Sequence, residues 1–169
     1  MKKFALGLIL GLCLPFVTAY LFVSLGGMPV ATKGQPLPFE RLLARKALHR
    51  AMGAEIGRPS PLPADEPNLL AGARVYQDHC AVCHGQLGRK ESATAKGMFP
   101  HPPQLLPPRK GVTDDPVGET YWKVRNGIRL TGMPGYGESL TDPELWQVSL
   151  LLLHADKLPE PVEAVLRGQ

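Results

Sequence analysis

Cys80-Ala81-Val82-Cys83-His84 is the stretch that decides how this chain is read. C-x-x-C-H is the attachment signature of a c-type haem. Residues three apart on a helical turn share a face, so both sulfurs can reach the two vinyl groups on one porphyrin edge. His84, next in sequence, turns an imidazole towards the iron. Each residue type is needed: thiols for two thioether bonds, imidazole for the axial bond. Two other chemistries use paired cysteines. A structural zinc site needs a second pair of ligands in closed tetrahedral spacing; His79 and His101 are the nearby candidates, and neither completes a recognised pattern. A redox dithiol sits in a βαβ pattern, which this sequence lacks.

A low-spin electron carrier needs a second strong axial ligand, and a thioether raises the reduction potential. Met133 sits in Thr131-Gly132-Met133-Pro134-Gly135, where flanking Gly and Pro predict a non-helical loop able to approach a ring closely. Met98 is the alternative. It lies 14 residues after His84 and has no Gly/Pro frame on both sides.

Composition narrows the surroundings. The chain has 169 residues, enough for one domain with additional segments. Gly 18 and Pro 18 make 36 of those 169, far above the usual share of about 12%. Long bundles and collagen-like repeats are excluded, and short helices joined by ordered loops are expected. Hydrophobic content of 44% excludes a wholly disordered chain, and three cysteines exclude a disulfide-stapled mini-protein. The net charge of +4 is unevenly spread. Residues 65–169 hold 11 Lys+Arg and 13 Asp+Glu; residues 1–64 hold 8 and 2. A basic surplus confined to the N-terminal third points to a membrane-proximal segment, not to a nucleic-acid face.

Phe4 to Leu25 is a 22-residue run without a charged side chain, preceded by Lys2 and Lys3. At 1.5 Å per residue it is about 33 Å long, matching a hydrocarbon core of about 30 Å. An uncleaved anchor is expected. A cleaved signal peptide is the competing reading, but its apolar core is normally about 7–15 residues, and no Ala-x-Ala site follows. Cys13 lies in this run behind Leu12, so it reads as a packed apolar cysteine and not a lipoprotein cysteine. Pro38 to Gly53 predicts a helix with Phe39, Leu42, Leu43, Ala47, Leu48 and Met52 at near-helical spacing and Arg41, Arg45, Lys46 and Arg50 between them. It is suited to anionic lipid, to a partner subunit, or simply to solvent. Pro59, Pro61, Pro63 and Pro67 then predict a stiff extended spacer. The expected domains are an anchor or uncleaved signal over 1–28, a linker over 29–66 and a haem domain over 67–169.

Gly72…Tyr76…Cys80-Ala81-Val82-Cys83-His84-Gly85, then Asn126-Gly127-Ile128, then Gly132-Met133-Pro134, then an apolar helix, occur in the order found in class I cytochrome c domains. From Gly72 to about Lys157 the chain resembles that single-haem family. The resemblance implies an all-α domain of short helices around one covalent haem c, with His84 and Met133 on the iron. It implies electron transfer at the exposed haem edge and no catalytic residue, hence an electron carrier and not an enzyme. It also implies that a loop carbonyl, of Pro103 or Pro102, accepts the proton on the second nitrogen of His84. Trp122 and Arg125 are candidate donors to the haem propionates, or else a core Trp and a solvated Arg. His101 is an alternative ligand or an exposed loop histidine.

Local signals place the helices. Asn68 to Cys83 predicts the first, with Gly72 and Tyr76 on one face; in the family such residues meet the last helix. Asp115-Pro116 opens a second that ends at Asn126-Gly127. Thr141-Asp142-Pro143-Glu144 is a capping box that starts a third, running to His154 and stopped near Pro159. Four leucines, Leu150 to Leu153, cover more than one of its faces: it is buried on two sides, or touches a partner or membrane.

The function expected is a membrane-tethered carrier shuttling single electrons between respiratory partners: a membrane oxidase, a dehydrogenase or another cytochrome. A cytochrome subunit of a larger oxidase or dehydrogenase complex is the alternative. A haem peroxidase or gas sensor requires an open distal position. No nucleic acid or small-molecule substrate is expected. Because c-type haem is attached outside the cytoplasmic membrane in bacteria, a single-pass inner-membrane protein with a periplasmic haem domain follows. Lys33, Arg41 and Arg45 on the outer side run against the usual charge bias.

Overall fold

The computed structural model describes residues 2–168. Among them there are helices, turns and loops and no strand, so the fold is all-α. The chain divides into two compact units, residues 1–41 and 42–169. In the first, α1 (Lys2–Ser24) carries Pro15 inside it and is long and apolar enough to cross a membrane. Pro is tolerated in such helices because neighbouring groups re-satisfy the freed backbone.

The second unit takes α2 (Glu40–Met52) from Leu42 onward, then a 3-10 turn (Gly53–Gly57), α3 (Glu66–His79), α4 (Ala81–His84), α5 (Ala93–Gly97), α6 (Val117–Asn126), α7 (Asp142–Leu153) and α8 (Glu160–Arg167). α3 begins earlier than the apolar pattern predicts. Asp65 caps it by accepting from the Asn68 backbone N–H at 3.1 Å, and Pro67 fits the first turn. It also ends earlier, since the backbone turns at Cys80 and α4 resumes as a single turn. At α6 the cap position is Pro116, one residue later than expected. At α7, Glu144 accepts from the Thr141 backbone N–H at 2.8 Å and from its hydroxyl at 2.7 Å.

α3 and α7 cross where Gly72 faces Gln147; a Cβ at Gly72 would collide with the Gln147 carbonyl. Only glycine permits that approach. Tyr76, Leu145, Trp146, Val148 and Leu151 fill the core beside the crossing. α7 packs on both α3 and α6, which is why Leu150, Leu151 and Leu152 are all buried and Leu153 half-buried. The leucine run therefore serves two faces of one core helix.

Two packed pieces lie outside the expected helices. α8 lies on α3, burying Val162 and Leu166, and Gln77 donates from Nε2 to the carbonyls of Val165 at 2.9 Å and Leu166 at 2.6 Å. Pro159-Glu160-Pro161 opens it and Gly168, in the left-handed region, closes it. The second piece lies in the expected linker, just ahead of the prolines read as a stiff extended spacer. The 3-10 turn packs on α6, where Gly118 leaves room for the Glu55 and Arg58 carbonyls. The Arg58 guanidinium sits 5.2 Å from the Tyr121 ring centroid and 5.3 Å from that of Trp146, while those two rings stack at 3.9 Å. Met52 is buried and Leu62 leans on the core. Packing thus reaches well N-terminal of the boundary expected at residue 67.

Candidate functional site

The break at Cys80 sets the site's geometry. α4 is one turn long, so Cys80, Cys83 and His84 follow each other around a single bend at the end of α3. Three bonds hold that bend. Tyr76, buried in the core, donates its hydroxyl to the Gly85 carbonyl at 2.8 Å. Ser92 Oγ donates to the Val82 carbonyl at 2.5 Å, and the Leu105 backbone N–H to the His84 carbonyl at 3.1 Å. Burial pushes the Tyr76 hydroxyl far above the usual range, so it stays a donor at any physiological pH.

His84 Nδ1 lies 2.8 Å from the Pro103 carbonyl oxygen. A carbonyl only accepts, so the ring proton resides on Nδ1 and the Nε2 lone pair is free to bind a metal. Burial also lowers the His84 pKa, against the opposing pull of that hydrogen bond, so the imidazole is neutral near pH 7. Neutral imidazole is the ligating form. Cys80 and Cys83 are free thiols, not bonded to each other. Burial, aided by the nearby Cys83, pushes the Cys80 thiol up to about 12.

Met133 arrives on a loop folded back over the end of α6. Gly127 turns the chain with a φ of +69°, and its missing Cβ leaves room for the Pro134-Gly135 backbone. The Tyr136 and Gly137 N–H groups donate to the Val124 and Arg125 carbonyls, each at 2.9 Å. Within the loop, the Ile128 N–H donates to the Met133 carbonyl at 3.2 Å, and the Met133 N–H to Thr131 Oγ1 at 3.1 Å. Both backbone polar groups of Met133 are thereby fixed.

Cys80, Cys83, His84 and Met133 line one cavity of about 670 Å³, measured to its open mouth. Val124, Ile128, Pro100, Pro102, Pro103 and Pro134 make much of the rest of its wall. The donor set fits a haem: two free thiols, a neutral imidazole with one nitrogen available, and a thioether, in a largely apolar chamber. Among the described residues, no group of three or more His, Cys, Asp or Glu side chains is arranged to hold a metal ion, so the closed ligand set of a structural zinc site is not formed there.

Other candidates fall differently. Met98 also lines the cavity, and its methyl takes the space that a Cβ on Gly132 would need. His101 lines the mouth, exposed, with Nε2 2.5 Å from Glu91 Oε1. Pro102 is in the wall, but the carbonyl at His84 belongs to Pro103. Trp122 and Arg125 are not brought to the cavity wall. Val124 and Ile128 hold the inward positions of that helix end, and the Arg125 guanidinium turns to the Tyr121 hydroxyl at 2.7 Å and to Asp142 at 3.4 Å. Sequence reasoning weighed the wall residue His79 only as a zinc ligand and passed over Tyr136. The Tyr136 hydroxyl donates to the His79 carbonyl at 2.9 Å, tying the Met133 loop to the end of α3. The Gly135-Tyr136-Gly137 sequence beside Met133 was the available signal.

Comparison with known proteins agrees with this chemistry. Residues 67–150 match the family model described as cytochrome C oxidase, cbb3-type, subunit III. No curated protein and no solved structure matches the chain. A helical domain that gathers two free cysteines and a histidine in C-x-x-C-H on an apolar chamber, and that matches this model across α3 to α7, is a c-type cytochrome domain, which binds c-type haem and serves haem-based electron transfer.

Proposed function

We propose that this chain is a membrane-tethered electron carrier with one covalent haem, bonded through Cys80 and Cys83 and ligated by His84 and Met133. The observation that carries the reading is the convergence of those four side chains on one cavity. When bound, haem supplies a one-electron redox couple. The chain's own residues do the rest. Pro103 holds the His84 proton on Nδ1, Thr131 and Ile128 hold the Met133 backbone, and a largely apolar wall lines the chamber. With His84 and Met133 both committed to holding the iron, no open metal position would remain for a substrate, which suits an electron carrier and not a catalyst.

α1 supplies the tether, since its length and apolar composition suit a bilayer. The haem domain lies in the periplasm, where attachment takes place, and exchanges electrons with respiratory partners at a small, transient interface. A tether raises the effective concentration of the domain at partners on the same membrane. A second reading is favoured by the family match alone: a cytochrome subunit held permanently in an oxidase complex. Co-purification of stoichiometric partners separates the two.

The oxidised-state absorption spectrum tests the ligation. Wild type is expected to show the weak red-region band of sulfur-to-iron charge transfer, Met133→Ala to lose it and Met98→Ala to keep it. A wild type without the band overturns the Met133 assignment, and loss in Met98→Ala alone transfers the role to Met98.

A further inference from the structure

α2 has almost no part in the core. Leu48 is half-buried and Met52 buried; every other residue from Arg41 to Ala51 is exposed. Leu42 and Leu43 are each 63% exposed, and Phe39, just before the helix, 73%. Arg41, Arg45, Lys46 and Arg50 stand among them, against Glu40 alone. Successive residues turn by about 100°, which brings Leu42, Leu43, Lys46 and Arg50 onto one side of the helix. Leu42, Lys46, His49 and Arg50 also line a shallow groove along it. Leucines beside long cationic side chains, with no protein against them, are suited to a headgroup layer: the leucines enter the acyl boundary and the Lys and Arg heads stay at the phosphates.

The position of α2 in the chain selects the occupant. It begins at Glu40, 16 residues after α1 ends at Ser24. A helix that close to a membrane span meets the bilayer surface at very high local concentration. Its cations then favour anionic over zwitterionic lipid. Resting on the tether reading above, we propose that α2 is a second membrane contact, lying on anionic phospholipid with Phe39, Leu42 and Leu43 at the acyl boundary and Arg45, Lys46 and Arg50 on the phosphates.

Hydrogen-exchange mass spectrometry on the full haem-loaded chain tests this, in nanodiscs of phosphatidylcholine and in nanodiscs containing one quarter phosphatidylglycerol. Amides of residues 42–50 are expected to exchange about tenfold more slowly in the anionic discs. That protection should fall with 0.5 M NaCl and in Arg45→Gln/Lys46→Gln/Arg50→Gln, with α3 unchanged. Equal exchange in the two lipids, with the chain retained in both discs and α1 protected, overturns the contact and leaves the tether standing. So does protection of α2 that requires an added acidic protein. Failure of the chain to stay in either disc overturns the tether, and the contact with it.

Discussion

Gly72→Ala probes the crossing that holds the site's two halves together. A Cβ at position 72 would lie 2.6 Å from the Gln147 carbonyl carbon, where ordinary contact begins at 3.4 Å, so α3 and α7 must part by about 0.8 Å or more. The opposing atoms are backbone and cannot rotate away. On an open helix the same change would stabilise by up to about 1 kcal/mol. Overpacking a well-filled core costs about 1–3 kcal/mol, and a clash with main chain belongs at the upper end. The net expectation is destabilisation by about 2 kcal/mol, a fall in Tm of roughly 8 °C for a unit of this size. Far-UV circular dichroism through a thermal ramp on the haem-loaded protein measures it. Gly97→Ala is the control, because nothing lies within 4 Å of a Cβ there. A Gly72→Ala protein that melts at or above wild type would refute the argument that close backbone approach is why glycine stands there.

Arg58→Ala removes the guanidinium from over Tyr121 and Trp146 and should destabilise by about 1 kcal/mol, after allowing for the side chain's partial exposure. Its proteolytic signature is faster cleavage within residues 53–58; unchanged cleavage would mean that the stack does not hold the turn. Hydrogen bonds from the Thr141 hydroxyl and backbone hold the Glu144 carboxyl below its ordinary 4.5. A lowered carboxylate contributes stability that is present above that value and lost as pH falls through its folded pKa. The urea midpoint of wild type should therefore drop on acidification below pH 4.5, and Glu144→Gln should show a shallower drop; parallel curves would remove Glu144 from the acid response.

The parts of the molecule readable from the chain are those fixed by neighbours in sequence. Cys80 to His84 carry their chemistry within five residues, Gly-Met-Pro-Gly advertises a loop, and Thr141 with Glu144 announces a helix start. What escaped depends on distant partners. Gly118 looks like an indifferent helix residue until the Glu55 carbonyl is found against it. Pro59 to Pro67 reads as a spacer because composition does not reveal that Arg58 has two aromatic rings to cover. α8 was legible in principle, since Val162, Val165 and Leu166 recur at helical spacing, but eight residues opening on Pro159-Glu160-Pro161 give a short signal. For Arg125, sequence leaves open a propionate donor or a solvated cation, because its bonds to Tyr121 and Asp142 join residues far apart in the chain or on another turn.

The clasp of residues 52–58 on α6 also sets a working radius. For a chain held in a bilayer by α1, residues 25–39 would be the whole of the extended leash, and 15 residues stretch to at most about 54 Å. Had the prolines formed a free boom out to residue 67, the redox domain could have swept a far larger volume. On the proposed tether, the domain would stay within that leash of its own membrane, and whatever takes its electron would have to reach it there.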